Sequence, residues 1–274
     1  STGTACACTT SACPPIRTLD VVWNLTLAAN IISANVQYGQ IEKIKEVAGV
    51  QEVILENRYE PCVVKQEETA DPNMATSDKM IGSSAAWAAG YTGAGSRIAI
   101  IDTGADVDHP SLDPDALKYA LQGSNATIMT EADLTDEVLN QLNAYTRKAG
   151  LTAADFYVNE KIPFGFNYVD ADTDITHDND TQGDHGSHVT GIAAGNRFVK
   201  DEAGNYVAAL DSVMTQGVAP DAQILTMKVF GKRGGAYDSD YMVAIEDAMV
   251  LGADAANLSL GGSFPGYSEY TEEK

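Results

Sequence analysis

Cysteine is scarce and unevenly placed in this chain of 274 residues: Cys6, Cys8, Cys13 and Cys62 are all of it. Cys6-Ala-Cys8 lacks the paired C-x₂-C spacing that zinc sites favour, so no thiol metal centre is expected there. A long cysteine-free remainder does not by itself name a compartment. Cations are scarce too, 17 Lys and Arg against 39 Asp and Glu, for a formal charge of −22. That balance excludes a nucleic-acid partner, because so few cations cannot neutralise a phosphate backbone; it reads as a solvated acidic surface. No apolar run approaches the roughly 18 residues of a membrane span. Nor is there an initiator Met or a charged-then-apolar leader, so the chain is expected to begin either after a removed targeting segment or at an arbitrary cut in a longer sequence. What is present is a hydrophobic fraction of 44% and 24 glycines, the composition of a folded globular protein long enough for one large domain or two smaller ones.

Residues 1–19, rich in Thr, Ser, Ala and Cys, read as a loose terminus. Residues 20–62 carry a small βαβ-like pattern. Ile31 to Val36 is strand-like, Ile41, Ile44 and Val47 mark a short helix ending at Gly49, and Val53-Ile54-Leu55 predicts a second strand. A unit this small buries little core alone and is expected to dock on something larger. Residues 63–77 read as an exposed linker, where nicking concentrates. From 78 onward the rhythm is β-α-β. Arg97 to Ile101 is apolar on both faces, as a buried parallel strand is. Gln223 to Phe230 and Ala253 to Leu258 are further strands, separated by a helix with Met242, Ile245 and Met249 on one face. Residues 112–163 read as an elaboration tolerated at low entropic cost. This order requires a parallel sheet with right-handed crossovers, in which ligands bind beyond the carboxyl ends of strands. Asp102 and the segment Ser259–Gly262 both fall at such ends.

Asp102 closes a buried strand, and His185 stands where a loop enters an apolar helical run. Imidazole is the side chain best suited to general-base work near neutral pH, and a buried carboxylate on its other nitrogen fixes the tautomer. Either residue alone has a bland reading, a turn-capping Asp or a helix-terminal His. Together, in the order Asp then His on a parallel framework, they match an acyl-transfer triad that runs Asp-His-Ser.

Four ordered segments carry a family resemblance: Ile100-Ile101-Asp102-Thr103-Gly104, His185-Gly186-Ser187-His188-Val189-Thr190-Gly191, Gly217-Val218-Ala219-Pro220-Asp221-Ala222, and Asn257-Leu258-Ser259-Leu260-Gly261-Gly262. The chain resembles a subtilisin-like serine protease over about residues 78–264. The long interval between Asp102 and His185 is similar to that of the larger cell-envelope subtilases, the lactocepin and C5a-peptidase-like group. The resemblance implies an α/β, parallel-sheet subtilisin-like domain over 78–274, preceded by a small α+β propeptide-like unit. It implies Asp102 as orienting carboxylate, His185 rather than His188 as base, and Ser259, Leu260 and Gly261 as the edge that pairs with an extended substrate, a β-augmentation mode. Polypeptide substrates, the chain's own propeptide as partner, no required cofactor and a secreted or cell-surface location follow as expectations. The family's nucleophile turn, of Gly-Thr-Ser-Met type, and its oxyanion Asn are not in the sequence, and Ser263 follows Gly261-Gly262 without a helix after it. The expectation is a C-terminally truncated and inactive fragment.

Rival readings have their own tests. Asp102-Thr103-Gly104-Ala105 also resembles an aspartic-protease motif, but a dyad needs two such carboxylates and one is present. A metallohydrolase built on Asp184, His185 and His188 lacks H-E-x-x-H. A non-catalytic binding or inhibitory fragment is the alternative of another class. Asp170, Asp172, Asp174, Asp178 and Asp180 begin like an EF-hand loop, yet no Gly stands at the sixth position and Thr181 replaces the final Glu; a looser structural Ca²⁺ site, or a solvated acidic loop, is what the pattern leaves.

Overall fold

The computed structural model of the chain describes residues 19–61, 74–232 and 234–261. The four cysteines, Ser263 and most of the linker lie outside the described residues. The chain opens with an antiparallel hairpin, β1 (Asp20–Leu25) and β2 (Ile31–Asn35), then a short helix α1 (Ile41–Lys45) and a strand β3 (Arg58–Pro61). Helices α2 (Met74–Ile81) and α3 (Ser83–Ala88) lead to β4 (Arg97–Asp102). Four short helices follow, α4 (Pro114–Ala120), α5 (Asp136–Leu139), α6 (Asn143–Arg147) and α7 (Ala153–Phe156), before β5 (Phe164–Asn167). Helix α8 (His185–Ala194) precedes a small hairpin of β6 (Phe198–Lys200) and β7 (Tyr206–Ala208), then α9 (Ala209–Ser212). The chain continues through β8 (Gln223–Lys228), β9 (Ala236–Tyr237), α10 (Asp238–Val250), β10 (Ala255–Asn257) and β11 (Leu260–Gly261). No helix among the described residues is long and apolar enough to cross a membrane.

The central sheet has the order β10-β4-β8-β5, all parallel. Its two faces explain why β4 is apolar throughout. Ala99 and Ile101 join Leu225 and Met227 in the larger core under α10, whereas Ile100 and Ile224 face the smaller core with Ala194 of α8. A strand covered on both sides has no polar register to alternate with. The 112–163 segment contributes to both cores: Leu134, Leu139, Leu142 and Phe156 enter the larger one and Leu112 and Ile162 the smaller. Phe156 stacks on Phe164 with centroids 5.3 Å apart, and offset aromatic contacts of this kind add about 0.5–1.5 kcal/mol beyond area burial.

Two local expectations are corrected and a third is filled in. Residues 53–55 form no strand, and the βαβ-like pattern is a hairpin, a helix and a later strand at Arg58–Pro61. Ile54 and Leu55 are exposed; what makes β3 a strand is pairing with partners far along the chain, not its own apolarity. The end of the expected 63–77 linker is already helical, since α2 begins at Met74. On α10, Met242 and Ile245 pack partly buried against the larger core, and a different face is the deepest. It carries Ser239, Asp240, Val243, Ala244, Glu246, Asp247 and Ala248, while Met249 is exposed. Carboxylates hold that face because each meets N–H or O–H donors from another element, as buried charges must.

Candidate active site

Asp102 is the last residue of β4 and fully buried; Lys228 is its register partner at the end of β8. The chain turns at once through Thr103-Gly104. Gly104 has φ 107°, and a Cβ there would lie 2.1 Å from the Ile175 carbonyl oxygen. The next contact is as tight: a Cβ on Gly186 would meet the Gly104 carbonyl at 2.1 Å. The two glycines let the first turn of α8 sit directly on the Asp-Thr-Gly turn. Three hydrogen bonds join them. Gly186 N–H donates to Thr103 Oγ1 at 2.8 Å, Thr103 Oγ1 donates to the Gly183 carbonyl at 3.3 Å, and Asp106 N–H donates to Ser187 Oγ at 2.7 Å.

This junction delivers His185 Nδ1 to Asp102 Oδ1 at 2.7 Å. The same oxygen accepts the Thr103 N–H at 2.7 Å, and Asp102 Oδ2 is buried with no partner among the described residues. The imidazole is 13% exposed, the carboxylate not at all. A buried carboxylate acceptor fixes the proton on Nδ1 and leaves the Nε2 lone pair as the base; protonation of Nε2 then gives an imidazolium stabilised by the adjacent negative charge.

Sequence reasoning missed the group that anchors this corner. Lys228 Nζ, fully buried, donates to the Thr103 carbonyl and to Asp180 Oδ2. The ammonium ties the turn after Asp102 to the loop that enters His185, so both ends of the pair share one support. Three other acids of the 170–180 loop are engaged locally, and Asp178 is exposed. Asp170 accepts from Asn167 and the Lys232 N–H, Asp172 from the Asp174 N–H, and Asp174 from Thr176 and Asn179. Among the described residues no cluster of three or more His, Cys, Asp or Glu is placed to hold a metal ion. Asp184 and His188, which flank His185 in sequence, are both exposed.

The Gly217–Ala222 segment is a turn closed on a buried lysine. Lys161 Nζ donates to the Pro220 and Ala222 carbonyls at 2.9 and 2.8 Å, and burial pushes its ammonium down to about 7, opposed by Asp221. Arg197 pairs with Asp221 at 2.9 Å.

Ser259, Leu260 and Gly261 lie beyond β10, with Ser259 Oγ bonded to Asn257 Oδ1 at 3.0 Å. Leu260 and Gly261 form β11, antiparallel to β3 with the pairs Leu260↔Pro61 and Gly261↔Glu60. On its other side β3 pairs with β9 through Arg58↔Tyr237 and Tyr59↔Ala236. The segment 58–61 is thus an extended peptide held between two edges of the domain. The β9 edge went unread in the sequence, because a two-residue strand after Gly234-Gly235 has no periodicity to detect.

The N-terminal unit docks through α10. Trp23, 3% exposed, donates Nε1–H to Asp240 Oδ1 at 3.0 Å and packs on Tyr168 with centroids 6.0 Å apart. Glu246 Oε1 accepts the N–H groups of Leu27 and Ala28, each at 2.7 Å, in the hairpin turn. Ser239 N–H donates to Glu56 at 3.0 Å and Asn57 N–H to Asp238 at 2.6 Å. Burial pushes the Asp240 carboxyl up to about 6 against the pull of the Trp23 donor, and Asp247 likewise to about 6.

Comparison with known proteins agrees with this architecture. The subtilase family model matches residues 93–273, which is more than half of the chain. The chain belongs to the subtilase family. Among curated relatives, the subtilase is 33% identical to the PI-type proteinase of Lactococcus lactis subsp. cremoris over 239 residues, covering 85% of this chain and 10% of that protein. It is 30% identical to the minor extracellular protease Vpr of Bacillus subtilis (strain 168) over 213 residues, 76% of this chain and 19% of Vpr. To the C5a peptidase of Streptococcus pyogenes serotype M6 it is 29% identical over 183 residues, 66% of this chain and 13% of that peptidase. The subtilase chain thus spans a tenth to a fifth of the length of these relatives.

Proposed function

We propose that this chain supplies the Asp and His of an Asp-His-Ser serine endopeptidase, with Asp102 as orienting carboxylate and His185 as general base. The observation that carries the reading is the 2.7 Å Asp102–His185 hydrogen bond at the carboxyl end of a buried parallel strand. A polypeptide substrate lies extended along Ser259, Leu260 and Gly261, and the pairing of β3 with that edge supports this. Residues 20–62 act as the chain's own propeptide, filling the substrate strand position with 58–61 while α10 holds the hairpin. The enzyme works outside the cell or at its surface, in keeping with its likeness to the minor extracellular protease Vpr. No Gly-Thr-Ser-Met-type turn occurs in residues 1–274, so these residues alone give little acyl transfer.

Expressed as these 274 residues, the chain is expected to leave a fluorophosphonate probe unreacted. Extended by coding sequence that carries a Gly-Thr-Ser-Met-type turn, it is expected to be labelled, and His185→Ala to abolish the labelling. Labelling of the 274-residue chain, or labelling of the longer form that ignores His185, overturns the reading.

A further inference from the structure

We propose that the slot between β9 and β11 selects a tyrosine at the strand position now held by Tyr59, through Asp238 and Tyr241 of α10. The inference rests on the reading of that slot as the substrate-strand site and adds the side chain it prefers. Within β3, Arg58 and Glu60 are exposed and pair with each other at 3.1 Å, whereas Tyr59 between them turns inward. Arg58 lies along Gly234-Gly235, and Tyr59 is the side chain that reaches α10. Its ring meets that of Tyr241 edge-to-face, with centroids 5.5 Å apart and planes at 84°. Its hydroxyl donates to Asp238 Oδ1 at 2.9 Å. The other oxygen, Oδ2, accepts the Asn57 N–H at 2.6 Å. One carboxylate thus reads the main chain two residues upstream and the hydroxyl at the far end of the ring. That span fits a para-hydroxyl aromatic; an aliphatic side chain loses both the ring contact and the hydroxyl. Burial first, and Asp238 next, hold the Tyr59 phenol above its ordinary range, so the hydroxyl stays a donor.

Phenylalanine is the discriminating competitor, since it keeps the ring contact. Without the hydroxyl, Asp238 Oδ1 still accepts Tyr241 Oη–H at 3.0 Å, so the site is not left with an orphaned charge. The expected preference for Tyr over Phe is then about tenfold, the low end for a hydrogen bond to a charged group, and well short of what a fully enclosed hydroxyl site achieves.

The test uses the 274-residue chain carrying Tyr59→Ala, whose own β3 loses its anchor. Fluorescein-labelled peptides Asn-Arg-Tyr-Glu-Pro and Asn-Arg-Phe-Glu-Pro are titrated by anisotropy, and opening of β3 is followed by amide exchange at residues 58–60. Supporting results are faster exchange in the variant, binding of the Tyr peptide about tenfold tighter than the Phe peptide, and loss of that difference when Asp238→Ala is added. Equal affinity for the two peptides overturns tyrosine selection and leaves the strand slot standing. Failure of both peptides to bind once exchange shows β3 open overturns the slot reading itself. Unchanged exchange in Tyr59→Ala overturns the assignment of Tyr59 as the anchor.

Discussion

Replacing Trp23 by Ala is expected to free the N-terminal unit from the subtilase domain without unfolding that domain. The indole is almost wholly buried, hydrogen-bonds to α10 through Asp240, and lies under Arg147, whose guanidinium carbon is 5.4 Å from the ring centroid. Truncating a buried Trp costs about 3–5 kcal/mol. The lower figure applies here, because Trp23 lines a cleft of about 570 Å³ with Val22, Leu27, Asn143 and Arg147, into which water can relax. Loss of the N–H donor to Asp240 adds about 1–2 kcal/mol, limited because that carboxyl is already pushed up to about 6 and can take a proton. A total of about 4 kcal/mol is about three decades in the opening equilibrium. Native-state hydrogen exchange reads it directly: amides of β1, β2 and β3 should exchange roughly a thousandfold faster while those of β4 and β8 keep their protection. Protection of β1–β3 within tenfold of the parent would refute the docking argument. A drop shared equally by β4 and β8 would refute it differently, making Trp23 a support of the whole core. Trp23→Phe, keeping most of the area, should fall in between.

Gly186→Ala drives a methyl into the Gly104 carbonyl; it should part α8 from the Asp-Thr-Gly turn, seen as loss of the Asp102–His185 hydrogen bond by NMR and a drop in melting temperature. Lys228→Met leaves Asp180 buried and unpaired, for a loss of about 3–5 kcal/mol in denaturant unfolding, and adding Asp180→Asn should recover much of it. Asp240 and Asp247 titrate near 6 when folded, raised by burial above the ordinary 3.8. The folded state then holds extra protons between about pH 4 and 6, so their contribution is full below pH 4 and falls as pH rises through 6. Each two-unit shift corresponds to about 3 kcal/mol, and Asp240→Asn should flatten the fall in unfolding free energy from pH 4 to 7; parallel curves would contradict it.

That Asp102 and His185 meet was legible because a strand-end Asp and a helix-start His in this order match a known pairing, and the flanking glycines mark a contact too close for any Cβ. The parallel sheet was legible because Ile98 to Ile101 of β4, covered on both faces, read as a continuous apolar run and further strands alternate with helices after it. Lys228 was not, since a lysine closing an apolar strand ordinarily reaches solvent. The acids of α10 were not, because their burial depends on donors from Trp23, the 26–29 turn and the start of α6, all remote in sequence. Likewise β3 is made a strand by two edges more than a hundred residues away, and the core residues of 112–163 sit among helices too short to show a period.

The central claim, that Asp102 prepares His185 as a base, is tested most directly by the imidazole ¹⁵N–¹H correlation spectrum of the 274-residue chain at neutral pH. The account predicts His185 as the Nδ1–H tautomer with Nε2 unprotonated, and a shift to mixed tautomers in Asp102→Ala. An Nε2–H tautomer in the unaltered chain, or a spectrum indifferent to Asp102, would contradict it.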